Sequence, residues 1–137
     1  MRSSISVVIG LALLGACSSG RTVDISAPGM QALLALPLPE MSAKIRMAQR
    51  IASDCDRYAM NADLLRAIPL ARPDAADGAL EAIRARAGMD LLTDVEIRSF
   101  QARHNVTVGQ DNLCSAADWE RANGSAIGTL LVPVPTT

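Results

Sequence analysis

Aromatic side chains are nearly absent: Tyr58, Phe100 and Trp119 are the only three in 137 residues. A β-sandwich or barrel fills its pleated surfaces with aromatic and β-branched residues, so their scarcity in an alanine-, leucine- and arginine-rich chain argues against one. An excess of charge of one sign is also lacking. Thirteen basic residues stand against fourteen acidic ones, a formal net charge of −1, which gives no electrostatic footing for nucleic acid. The sequence has one histidine, His104, and three cysteines, little raw material for a metal cage or a catalytic triad. It contains no Gly-x-Ser-x-Gly elbow, no His-Glu-x-x-His pair and no glycine-rich phosphate loop. The expectation is a protein that is not an enzyme, with no metal and no dissociable cofactor. Its length suits one small domain.

What is present begins with an address. Met1-Arg2-Ser3-Ser4 precedes an apolar run from Ile5 to Leu14, and Gly15-Ala16-Cys17 follows. A positive start, a short apolar stretch and a small-residue end make a secretory signal. The run falls short of the roughly twenty residues that a membrane-spanning helix needs. Leu14-Gly15-Ala16-Cys17 resembles the lipobox of bacterial lipoproteins. That resemblance implies cleavage before Cys17, lipid on its thiol and acylation (palmitate-type chains) of the new amino terminus. Several acyl chains anchor firmly where one does not, since each buried methylene contributes about 0.8 kcal/mol. Ser18 in the position after the cysteine matches the lipoprotein pattern for the outer membrane, with the domain on its periplasmic face. The bland alternative is an ordinary secretory signal with a cysteine near its end.

With Cys17 assigned to lipid, Cys55 and Cys114 remain as an even pair in an oxidising compartment. A structural disulfide between distant helices is expected. A redox pair normally sits as Cys-x-x-Cys, and these two are far apart in sequence.

Residues 1–16 therefore read as the signal, 17–38 as a lipidated tether, 39–131 as a helical domain and 132–137 as an extended tail. Within the tether, Met30–Leu36 is apolar and bounded by Pro28-Gly29 and Pro37, which suits a short helical turn packed on the domain. The first strong helix is expected from about Glu40 to Tyr58, with Ile45, Ala48, Ile51, Ala52 and Cys55 on one stripe. Asn61 suits the cap of a shorter helix bearing Leu64, Leu65 and Ile68 and bounded by Pro69 and Pro73. A third helix is expected over Asp74–Ala87 with Gly88 as its stop. Thr93-Asp94-Val95-Glu96 has the form of a capping box opening a fourth helix, anchored by Ile97 and Phe100 and ending near His104-Asn105. A fifth begins near Asp111 or Asn112 and carries Leu113, Cys114, Ala117 and Trp119-Glu120. Ser125 can cap a last short helix. The fold class is thus all-α, a small disulfide-stapled bundle of four to five helices.

Two cysteines on the first and last main helices, the segment from Thr93 to Phe100, and Asn123-Gly124-Ser125-Ala126-Ile127-Gly128-Thr129-Leu130-Leu131 together resemble a family. Its members are short exported proteins of alphaproteobacteria classed as a domain of unknown function. The resemblance spans roughly Pro39 to Leu131. It implies a helical, disulfide-bonded periplasmic domain and brings no activity with it.

Among individual residues, His104 sits at an expected helix C-terminus, where a histidine usually serves the helix dipole. Asp54 and Asp56 flank Cys55 near Arg50 and Arg57 and read as a surface ion-pair cluster. Trp119 is either a packing residue or, if exposed, a hot spot for a partner. Gly124 and Gly128, four apart, with Ser125 and Ile127 between them, let another backbone approach closely. That backbone would belong to the protein's own first helix, or to a second copy or partner. These residues lead to a small envelope lipoprotein that works by contact with an unidentified envelope protein or by self-association, tethered to the membrane through lipid. A periplasmic chaperone of acid stress is the alternative, because the chain loosely resembles small acid-stress chaperones in being short, helical and held by one disulfide. A ligand carrier or enzyme is a third reading and needs a concave pocket with converging polar groups.

Overall fold

A computed structural model describes residues 23–75 and 89–135. The expected signal and Cys17 lie outside the described residues, as does nearly all of the helix expected over Asp74–Ala87. In chain order the elements are α1 (Pro28–Leu34), α2 (Leu38–Asp54), β1 (Tyr58–Met60), α3 (Ala62–Ala71), a 3-10 turn (Pro73–Ala75), α4 (Met89–His104), α5 (Cys114–Ala122), α6 (Ala126–Thr129) and β2 (Leu131–Pro133). This is a small all-α bundle stapled by Cys55–Cys114, whose Cα atoms lie 5.2 Å apart. The short α1 and α6 bring the described helices to six.

The core forms around α2. Its buried residues are Met41, Ser42, Ala43, Ile45, Met47, Ala48 and Ile51, more than one stripe's worth, because neighbours cover it on several sides. Met30 and Leu33 of α1, Leu64 and Ile68 of α3, Phe100 of α4, and Ile127, Leu130 and Leu131 close the cluster. Helix α2 ends at Asp54, not Tyr58. Cys55 takes an extended conformation, so the disulfide ties the residue after α2 to the first residue of α5. The next residues turn back into β1, which pairs antiparallel with β2 (Tyr58↔Pro133, Ala59↔Val132, Met60↔Leu131). The expected tail thus starts as a strand. Pairing across that sequence distance leaves no local mark.

Local signals that need no distant partner are met. Asn61 caps α3 through Oδ1, which accepts from the Leu64 amide at 3.1 Å. Ser125 caps α6 by accepting from the Gly128 amide at 2.9 Å. Asn105 stops α4 with φ of 51°, a left-handed conformation asparagine tolerates. Replacing Asn61 with alanine is expected to cost about 1 kcal/mol, read as a lower urea midpoint with an unchanged slope.

Two expectations are corrected. Pro69 does not bound α3 but lies inside it, in the last turn, where only one amide bond is forgone. Thr93 does not open a helix, because α4 already runs from Met89. Glu96 turns instead to Lys44 on α2, with both carboxylate oxygens 2.7 Å from Nζ. This pair is largely buried, and the tertiary contact overrides the local capping pattern.

Candidate functional site: the polar face of helix α5

Four consecutive residues of α5, Asp118 to Arg121, reach three other elements, β1, α4 and β2. The Tyr58 hydroxyl of β1 donates to Asp118 Oδ1 at 2.5 Å, and Arg57 donates to Oδ2 at 2.8 Å. Those two donors, Tyr58 first, hold the Asp118 carboxyl below its ordinary value, and the same bond raises Tyr58. Arg121 donates to the Leu131 carbonyl of β2 and lies 5.6 Å from the centroid of the Tyr58 ring, with Arg57 at 5.9 Å. Tyr58 is thus a cation–π contact for two guanidinium groups.

Glu120 is wholly buried. Its Oε1 lies 2.7 Å from His104 Nε2 and accepts from Arg103 Nη1 at 2.7 Å, both from the last turn of α4. Burial pushes the carboxyl up, but Ser125, His104 and Arg103 outweigh it and bring the group below its ordinary value. The Ser125 hydroxyl acts on this charge, and Oε2 has no hydrogen-bond partner among the described residues. The His104 ring is also walled by Phe100, centroids 4.5 Å apart, and by Trp119, edge-on at 5.1 Å and 70°.

Trp119 itself stands 47% exposed. One step along the helix turns a side chain by about 100°, so Leu113, Ala117 and Glu120 share the inward stripe and Trp119 leaves it. The packing reading of Trp119 gives way to the exposed one. The indole is not loose: His104 supports one edge, and Asn123 Nδ2 donates to the Trp119 carbonyl at 2.8 Å.

The glycine pair serves the fold. A Cβ on Gly128 would collide with the Glu120 carbonyl and the Arg121 amide, so at this glycine α6 lies directly on the backbone of α5, while the same short helix also packs on α1 and on the first long helix, α2. Gly124 supplies the turn between them with φ of 60° and faces open space. Ile127 is buried and Ser125 is spent as a cap, so of the residues expected to meet a partner only Trp119 offers a large exposed side chain. The expected cluster around Asp54 and Asp56 does not form as drawn. Arg57 goes to Asp118, while Asp54 accepts from Ser53 at 3.2 Å. Asp56 lies beside Cys55 and Cys114, but both sulfurs are joined to each other, which removes them as metal ligands.

The Glu120–His104–Arg103 group escaped the sequence reading, although one signal was there: a glutamate on the apolar stripe of its helix, sixteen residues after the sole histidine. A cleft of about 480 Å³ lies elsewhere, between residues 23–30, the start of α3 and β2. Its Asn61 is committed to the α3 cap and its Asp63 to Arg66. Among the described residues no helix is long and apolar enough to cross a membrane. No protein-family model matches the chain, and comparisons with curated proteins and with solved structures find no match either.

Proposed function

We propose that this chain is a lipid-anchored helical module of the cell envelope that works by protein contact, without catalysis, through the face around Trp119. The observation that carries the docking part is a half-exposed tryptophan on a fixed base. Rigid, partly exposed aromatics are favoured anchors because they bury much area and lose little side-chain entropy on binding. The anchor rests on Leu14-Gly15-Ala16-Cys17, and Ser18 favours the periplasmic face of the outer membrane. The resemblance to short exported alphaproteobacterial proteins agrees with that compartment.

Crosslinking in intact cells, followed by capture of the chain from membranes, tests the docking part. The unaltered protein is expected to recover one specific partner or a second copy of itself. Trp119→Ala is expected to lower that recovery at least tenfold while costing about 1 kcal/mol in stability, the worth of one edge-on aromatic contact. Equal recovery by the two proteins would remove Trp119 from the interface. Metabolic labelling with a palmitate analogue tests the anchor, which Cys17→Ala should abolish.

A second reading, a periplasmic chaperone of acid stress, is favoured by Glu120, since protonating a carboxylate that is buried and paired in the folded state is how acid loosens such a fold. Failure to suppress aggregation of a client at low pH would discard it.

A further inference from the structure

Beside the shared apolar core, the polar contact of α4 with α5 is concentrated at one point. Helix α4 lies mainly along α2. Among the described residues, the hydrogen bonds and ring contacts between α4 and α5 are the bonds of Arg103 and His104 to Glu120, and the His104–Trp119 contact. All of them converge on the last turn of α4, and two share one oxygen of one buried carboxylate.

We propose that Glu120 is an acid-operated latch: uptake of a proton by its buried carboxylate releases the last turn of α4 from α5 and removes the support beneath Trp119. The proposal takes its use from the docking reading, because it makes that face pH-dependent, but it stands on the surroundings of Glu120 alone.

The groups around the carboxylate define what protonation changes. Arg103 and His104 face it from α4, and the Ser125 hydroxyl faces it from the turn before α6. From α6 itself only backbone approaches, at Gly128. On its own helix, Asp118 is taken by Tyr58 and Arg57, and Arg121 by Leu131. Among the described residues no other ionisable side chain is bonded to Glu120.

While ionised, Oε1 accepts from two donors. A proton from solvent turns the group into a neutral acid, and the attraction for the guanidinium is lost. Arg103 is 35% exposed and can swing into water, where its charge is solvated at little cost. Oε2, which has no partner, is the open seat for the incoming proton. The direction follows from linkage. A carboxyl held below its ordinary value of 4.5 stabilises the contact at every pH above the usual glutamate range and loses it as pH falls through the lower folded value.

Trp119 is the only tryptophan in the sequence, so its fluorescence reads the joint directly. The test follows emission and amide hydrogen exchange from pH 7.5 to pH 3 on the disulfide-intact mature chain. Exchange rates are corrected for their intrinsic pH dependence. Expected is an emission change below the usual glutamate range, with amides 101–105 exchanging at least tenfold faster while the amides of α2 keep their protection. Glu120→Gln should show the released state at pH 7.5 and no acid transition. If that variant does not fold, Arg103→Gln decides, since losing the guanidinium that helps hold the carboxylate ionised must move the transition to higher pH.

Flat emission and exchange down to pH 3 would overturn the latch. So would α2 losing protection together with α4, a transition surviving Glu120→Gln, or no upward shift in Arg103→Gln. None of these outcomes touches the capture experiment with Trp119→Ala, so the latch and the docking reading fail separately.

Discussion

Replacing Cys55 with serine is expected to lower the stability of the domain by about 4 kcal/mol, the chain-entropy worth of closing a loop of this size. The bridge spans 59 positions of sequence and joins the end of the central helix to the start of α5. Cutting it frees the unfolded chain and leaves a small core to hold α5 alone, in a fold whose total stability is on the order of 5–15 kcal/mol. Urea titration of the oxidised protein, the Cys55→Ser variant and the reduced protein checks this. The two lacking the bridge should share one lower midpoint. A midpoint within a few tenths of a molar of the parent would mean that the helices hold α5 without it.

Gly128→Ala is expected to cost about 3 kcal/mol, at the upper end for an overpacked site. The added methyl meets backbone, the Glu120 carbonyl and the Arg121 amide, and neither can move aside as a long side chain would. Gly124→Ala is the control. There the methyl meets nothing, and only the left-handed backbone opposes it, for roughly 1–2 kcal/mol. Thermal unfolding of the two variants decides whether the glycines serve the fold or a partner. A stable Gly128→Ala protein with impaired self-association would point to a partner groove.

Much of the architecture was legible because its causes are local. The cap at Asn61, the stop at Asn105 and the cap at Ser125 need only a few neighbouring residues. The inward positions of Ile45, Ala48 and Ile51 follow from helical periodicity alone. Distance defeated the rest. Tyr58–Met60 reads as the end of a helix until Leu131–Pro133 returns to pair with it. Thr93 has the form of a cap, but Glu96 gains more from Lys44 across the bundle than from reaching back along its own chain. Pro69 looks like a boundary, yet a helix near its end survives one missing donor. The candidate site was half legible. Trp119 and His104 were singled out one by one, but the Glu120 carboxylate that connects their surroundings depends on where two helices cross.

One consequence of the ribbon concerns crowding. Ala59 and Val132 are paired, Asn61 donates to Leu130 and Val134 donates to Arg57, so the groups of β2 turned away from β1 belong to Leu131 and Pro133. Proline has no amide hydrogen to offer, and the outward carbonyl of Leu131 is already taken by Arg121. That border offers a third strand only part of the usual ladder of donors and acceptors. Copies packed side by side would find a poor seam there along which to fuse into a fibril.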